Sequence, residues 1–240
     1  MIFSSLSYIY LADIVSDHPR QWIALSDVAR EVLSLPEPES RGRVKNDLEL
    51  LKAAAETVRF GRSGLTFCKD ILVPEEETQF AAVTFYLDDG SVFIAFRGTD
   101  HSLTGWKEDF NMAFQESVPA QRMAVQYLKD FSAMSSVPIY VGGHSKGGNL
   151  ILMEEITADS KFIDRTLKTW LAELDSEARN DFVDAVFDLL AAGDANETKE
   201  IMHPKNVISY LQTLTADDDM RKRLSGKLRL LVQAVRKNRL

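Results

Sequence analysis

Pro138-Ile139-Tyr140-Val141-Gly142-Gly143-His144-Ser145-Lys146-Gly147-Gly148-Asn149-Leu150 is the stretch whose reading decides the fold. A short β-rich run opened by a proline leads into two glycines and a serine, and the run from Asn149 to Ile156 then carries helix formers with Glu154 and Glu155 on a polar side. In the pattern Gly143-x-Ser145-x-Gly147 a strand must turn into a helix so sharply that the serine takes strained backbone angles, and bulky neighbours do not fit. A serine held that way projects its hydroxyl above the carboxyl end of a sheet, beside the first N–H groups of the next helix. That arrangement suits acyl transfer. Three fixed residues in five also recur in ordinary glycine-rich turns, so the strand before and the helix after carry the reading.

Upstream, Pro119 to Phe131 reads as a helix with Pro119 in its first turn, joined to the Pro138 strand as a right-handed crossover. Before it, Phe80 to Leu87 and Ser91 to Phe96 are β-rich runs around the turn Asp88-Asp89-Gly90, a hairpin signal. The polar turn Arg97-Gly98-Thr99-Asp100 closes the second run. Strands and helices together predict an α/β fold class. Toward the amino terminus, Phe3, Leu6, Ile9, Tyr10 and Ile14 repeat at helical spacing up to Asp17-His18-Pro19. Ser26 to Leu35 and Val44 to Val58 are further helical stretches, separated by a proline-rich loop. Beyond Ile156 the periodicity is helical over Phe162 to Leu174, Asp175 to Leu190, Ile201 to Leu214 and Met220 to Val235. The expected organisation is a core with amino-terminal helices over residues 1–156 and a helical region over residues 157–240.

The chain has 240 residues, 45% of them hydrophobic and 27% charged, and a formal net charge of −8. This balance argues against nucleic acid or an anionic membrane as the main partner, since both attract basic surfaces. Cys68 is the only cysteine, and no Cys/His cluster has metal-ligand spacing. No metal and no cofactor are therefore expected, and a reducing, cytoplasmic setting is the default. The amino terminus has no basic region ahead of an apolar one, and Asp13 interrupts the apolar stretch, so no transmembrane segment is expected.

Phe96-Arg97-Gly98-Thr99-Asp100, then Gly105-Trp106-Lys107-Glu108-Asp109-Phe110, then Gly143-His144-Ser145-Lys146-Gly147-Gly148-Asn149-Leu150 resemble, in that order, the Mbeg-like α/β-hydrolases, relatives of class 3 lipases. The resemblance runs from about Ser4 to Leu150 and more loosely over the helices around Phe162–Leu167 and Trp170-Leu171. It implies a three-layer α/β-hydrolase sandwich, a small acyl or ester substrate, and Ser145 as nucleophile. It also implies an oxyanion hole from the backbones of Thr99 and Lys146. Two N–H donors from different segments can converge on one developing oxyanion, and loss of one typically costs on the order of 10²-fold in rate. The blander readings are a plain turn residue for Thr99 and an exposed first-turn lysine for Lys146. Arg97, Asp109 and Trp106 are read as buried support, with an Arg97–Asp109 pair beneath the site as the alternative.

In such hydrolases the acid and the histidine follow the serine on later strand ends. Here the chain passes from the elbow helix through Thr157-Ala158-Asp159-Ser160-Lys161 into what resembles the family's carboxy-terminal helices. Of the four histidines, His18, His101 and His144 precede Ser145, and only His203 follows it, in Met202-His203-Pro204, where a surface turn is the blander reading. The acid is unassigned, since Asp159, Asp164 and Asp184 are equally placed on helical faces. Two accounts stand open: a truly shortened sheet whose edge is covered by helices or by a second subunit, or a segment missing from the sequence. The first predicts little triad-dependent hydrolysis and a binding or assembly role, with a homo-oligomer as one way to cover the edge. The second predicts an esterase or lipase-like enzyme.

Overall fold

The computed structural model describes residues 1–112, 115, 117–150, 169–170, 172–193, 200–201 and 203–238. The chain forms two compact units: Met1–Asp100 with Ser117–Glu154, and His101–Glu116 with Glu155–Leu240. The boundary expected after residue 156, the helices expected over Asn149–Ile156 beyond Leu150 and over most of Phe162–Leu174, and the aspartates Asp159 and Asp164 lie outside the described residues.

Among the described residues the first unit is built on a five-stranded sheet in the order β1-β2-β3-β4-β5. The strands are β1 (Ile23–Ala24), β2 (Gly64–Val73), β3 (Thr78–Tyr86), β4 (Val92–Phe96) and β5 (Ile139–Gly143). The first four pair antiparallel, and β5 alone runs parallel to its neighbour, with Val92 opposite Ile139 and Phe96 opposite Gly143. The β3–β4 hairpin stands where Asp88-Asp89-Gly90 predicts it. Gly90 supplies the positive φ of 81°, and the Asp89 carboxylate accepts from the Ser91 backbone N–H at 2.9 Å.

Helices cover both faces of this sheet. On one side α1 (Ile2–Leu6), α2 (Leu25–Leu33) and α3 (Lys45–Ala55) join Leu65, Val83, Phe85 and Ala95 in one apolar cluster, in which Phe3 stacks on Phe85. The short α4 (Val58–Gly61), capped by the Thr57 hydroxyl, leads into β2. On the other side α6 (Pro119–Met134) buries Ala120, Ala124, Tyr127 and Phe131 at helical spacing. Tyr127 touches Phe67, Phe80 and Phe96 there.

Three local differences from the expectations have physical causes. The first helix stops at Leu6 instead of continuing to Ile14, because Tyr10 is captured by another segment. Its N–H donates to the Arg41 carbonyl at 2.9 Å, and the Arg41 guanidinium returns a bond to the Tyr10 carbonyl and a bidentate pair to Asp13. The stretch expected as one helix over Val44 to Val58 divides at Thr57 into α3 and α4. And β2, the longest strand, is absent from the expectations because a bulge breaks its alternation. Thr66 pairs with Thr84 and Lys69 with Ala82, so Phe67 and Cys68 together face one residue, and Phe67 takes a φ of 49°.

The second unit contains α5 (Leu103–Asn111), α8 (Ser176–Ala191), α9 (Pro204–Ala216) and α10 (Asp218–Asn238). The Asp175 carboxylate caps α8 by accepting from the Ala178 N–H at 2.8 Å. Trp170, Phe182, Val183, Met220 and Leu224 share its core, and the Trp170 indole N–H donates to the Lys227 carbonyl at 2.9 Å. Lys107 of α5 pairs with Asp184 of α8 at 2.7 Å.

Candidate functional site

Ser145 stands between β5 and the short helix α7 (Lys146–Asn149), with φ 57° and ψ −126°. The residue is exposed. These angles lie outside the regions that L-residues favour, at a typical cost of about 1–3 kcal/mol, so the surroundings must impose them. The glycines show how. A Cβ on Gly143 would lie 2.2 Å from the Gly147 carbonyl carbon, and one on Gly147 would lie 2.1 Å from the Phe96 carbonyl oxygen. The turn is thus pressed onto itself and onto the end of β4, and no side chain fits at either glycine.

The turn after β4 lies against the serine. A Cβ on Gly98 would lie 3.2 Å from the Ser145 Cβ, 2.4 Å from the His144 carbonyl oxygen and 2.2 Å from the Tyr8 hydroxyl. The segment that carries Thr99, itself buried, is therefore beside Ser145 at the same end of the sheet. Lys146 is 3% exposed, unlike the exposed first-turn lysine of the blander reading. Its ammonium donates to the Gln79 backbone carbonyl and to Gln79 Oε1, each at 2.7 Å, which ties α7 to β3.

Tyr8 lies behind the site. Its hydroxyl is 3.0 Å from His144 Nδ1 and 3.4 Å from the His144 carbonyl oxygen, and the Arg43 guanidinium covers its ring at 4.0 Å. The His144 imidazole is thereby engaged on the Tyr8 side of the turn. Arg97 is buried as expected of a supporting residue, and it pairs with Asp70. The pair is bidentate at 2.6 and 2.8 Å, with Asp100 at 3.8 Å. Trp106 departs from the expectation of burial, being 44% exposed.

His18, the other histidine of the first unit, accepts from the Arg20 N–H through Nδ1 in an exposed loop. His101 and His203 belong to the second unit, where His203 is exposed at the amino-terminal cap of α9 ahead of Pro204. Cys68 offers no second nucleophile: burial pushes its thiol up to about 12, far from the thiolate state. Among the described residues no group of three or more His, Cys, Asp or Glu side chains is arranged to hold a metal ion, and no helix is long and apolar enough to cross a membrane.

Tyr8, Asp70 and Gln79 are the supporting residues that sequence reasoning missed. Their partners lie far along the chain, so periodicity does not reveal them. Gln79 alone left a signal, as an uncharged polar residue at the head of an apolar run.

Residues 54–154 match a family model described as Mbeg1-like. The matched segment is less than half of the chain, and it holds the Arg97–Asp100 turn, the Gly105–Phe110 stretch and the serine turn. No curated protein and no solved structure matches the chain.

Proposed function

We propose that the chain is a serine hydrolase of esterase or lipase type, acting on a small acyl ester through Ser145 on an α/β-hydrolase-like sheet. One observation carries this reading: an exposed serine held at φ 57° and ψ −126° between a strand end and a helix. Strain of this kind clusters at active sites, where the surrounding structure maintains it for presentation of a group. The match to the Mbeg1-like family over the same segment supports it.

In this reading the Ser145 hydroxyl attacks the ester carbonyl and gives up its proton to a base. The backbone N–H groups of Thr99 and Lys146 receive the oxyanion, the alcohol leaves, and water releases the acid from the acyl-enzyme. The buried Lys146–Gln79 bonds hold one donor segment in place, and the Gly98 contact holds the other against the serine. Base and acid are unassigned, with His203 the candidate base as the one histidine after Ser145. General-base assistance is typically worth about 10²–10⁴-fold, so turnover without it rests on the oxyanion donors and is slow.

The test compares wild type, Ser145→Ala and His203→Ala on short-chain activated esters, with a fluorophosphonate probe read by mass spectrometry. Wild type is expected to be labelled at Ser145 and to exceed Ser145→Ala in turnover. Loss of turnover in His203→Ala as well would identify the base. An unlabelled wild type no faster than Ser145→Ala overturns the proposal.

A second reading, a catalytically defective binding or assembly protein, is favoured by β5. Among the described residues it is the last strand of the sheet, and Tyr140 and Val141 are 57% and 37% exposed. A dimer mass in solution that Val141→Lys reduces to a monomer would support it.

A further inference from the structure

A concavity of the first unit lies at the opposite end of the sheet from Ser145. It is a cavity of about 480 Å³ whose lining includes Arg20, Trp22, Arg62, Gly64, Tyr86 and Asp88. Tyr86 pairs with Val92, the first residue of β4, whereas the serine turn follows Gly143, which pairs with Phe96, the last. At about 3.3 Å per residue the two are separated by roughly 13 Å along the strand alone, so this cavity is no extension of the serine site.

We propose that this cavity binds a planar aromatic ring carrying an anionic group, the chemistry of a nucleoside monophosphate. Trp22 supplies the platform. The residue is 62% exposed, yet its ring lies against the Gly64 backbone, where a Cβ would stand 2.8 Å from Cε3 and 3.1 Å from Cδ2. The absence of a side chain at Gly64 is what lets the indole rest on β2 while much of it still faces solvent. A large aromatic held in place and left open stacks a planar ligand at little entropic cost.

The charge comes from Arg20 and Arg62. Both are exposed, and among the described residues neither guanidinium is in an ion pair or over an aromatic ring. In a chain with 36 acidic against 28 basic residues, two such groups lining one cavity form a local anion site on an acidic molecule. Asp88 lines the same cavity and among the described residues is in no ion pair with either arginine; a carboxylate there can accept from amino or imino hydrogens of a base.

The wall is already ordered. The Tyr86 hydroxyl donates to the Pro19 carbonyl at 3.1 Å, and the Thr66 hydroxyl lies 2.8 and 3.0 Å from the Gln21 and His18 carbonyl oxygens. These bonds pin the loop carrying Arg20 to β2 and β3. The volume lies in the range of small-molecule sites, about 300–1,000 Å³.

The experiment is calorimetric titration of the full chain with AMP, GMP, adenosine and inorganic phosphate, with tryptophan fluorescence as a second readout. AMP or GMP is expected to bind with saturation, at least about tenfold tighter than adenosine or phosphate, because ring and anion are both recognised. Arg20→Glu with Arg62→Glu is expected to remove the binding while leaving the thermal midpoint and circular dichroism unchanged. Trp22→Ala is expected to weaken all ligands that carry a ring and to leave phosphate as it was. The proposal is overturned if neither nucleotide binds at millimolar concentration, if the double arginine variant binds as wild type does, or if phosphate alone binds as tightly as the nucleotides.

Discussion

The Ser145 backbone is held at φ 57° between β5 and α7. The glycines on either side predict a strained turn, and the contacts of Gly143 with Gly147 and of Gly147 with Phe96 show what imposes it. Strain makes a prediction that does not depend on chemistry. Glycine adopts positive φ without the Cβ penalty, so Ser145→Gly is expected to stabilise the fold by about 1 kcal/mol, whereas Ser145→Ala keeps the penalty and stays near wild type. Urea unfolding of the three chains measures this, and equal midpoints for Gly and Ala would refute a strained serine. Lys146 illustrates what remained hidden. A lysine between a serine and two glycines reads as a solvated first-turn residue, because its acceptor, Gln79, is 67 positions away. Burial of that kind is decided by tertiary packing.

Among the elements, the β3–β4 hairpin, α6, β5 and α8 were legible, because each has a local signal: a turn tripeptide, a proline in the first turn, a proline before a β-rich run, a capping aspartate. The strand β2 was not. Its bulge puts Phe67 and Cys68 opposite a single partner and shifts the alternation by one residue midway, so no single period describes Gly64 to Val73. The bulge is held by Tyr127, whose hydroxyl lies 2.5 Å from the Phe67 carbonyl oxygen and 2.8 Å from the Thr84 hydroxyl. Burial, the largest influence, pushes the Tyr127 phenol well above its ordinary value, so it stays protonated as a donor. Tyr127→Phe leaves the Phe67 carbonyl and the Thr84 hydroxyl without that partner in a dry core. It is expected to cost about 1–3 kcal/mol in chemical unfolding. A variant within a few tenths of wild type would mean that the bulge is held by packing alone.

For the molecule as a whole, the two units differ in what holds them. The first has a sheet with apolar layers on both faces, whereas the second adds a charged cluster in which Arg223 and Lys227 both bond Asp181. Burial pushes the Asp181 carboxyl up, but the bonds from Lys227 and Arg223 outweigh it and hold the group below the usual carboxylate range. A depressed carboxylate contributes stability above its unfolded value, near pH 4, and loses it as the pH falls through the lower folded value. Asp181→Asn is therefore expected to cost up to about 1 kcal/mol at pH 7, with the difference from wild type narrowing below about pH 4; thermal melts across pH check this. The parallel pairing of β5 with β4 has a kinetic consequence as well. Hairpins join β2, β3 and β4 through short turns, but β5 meets β4 only after the whole of α5 and α6 has been spanned, a closure costing about 2 kcal/mol more in chain entropy. Val141→Ala in β5 is thus expected to accelerate unfolding and leave the refolding rate nearly unchanged, while Val83→Ala in β3 slows refolding, as stopped-flow chevrons would record. Because the turn at Ser145 is pressed against the end of β4, it takes shape only with that last pairing. A nascent or partly refolded chain therefore carries an ordinary, relaxed serine, and the tensed one is a mark of completed folding.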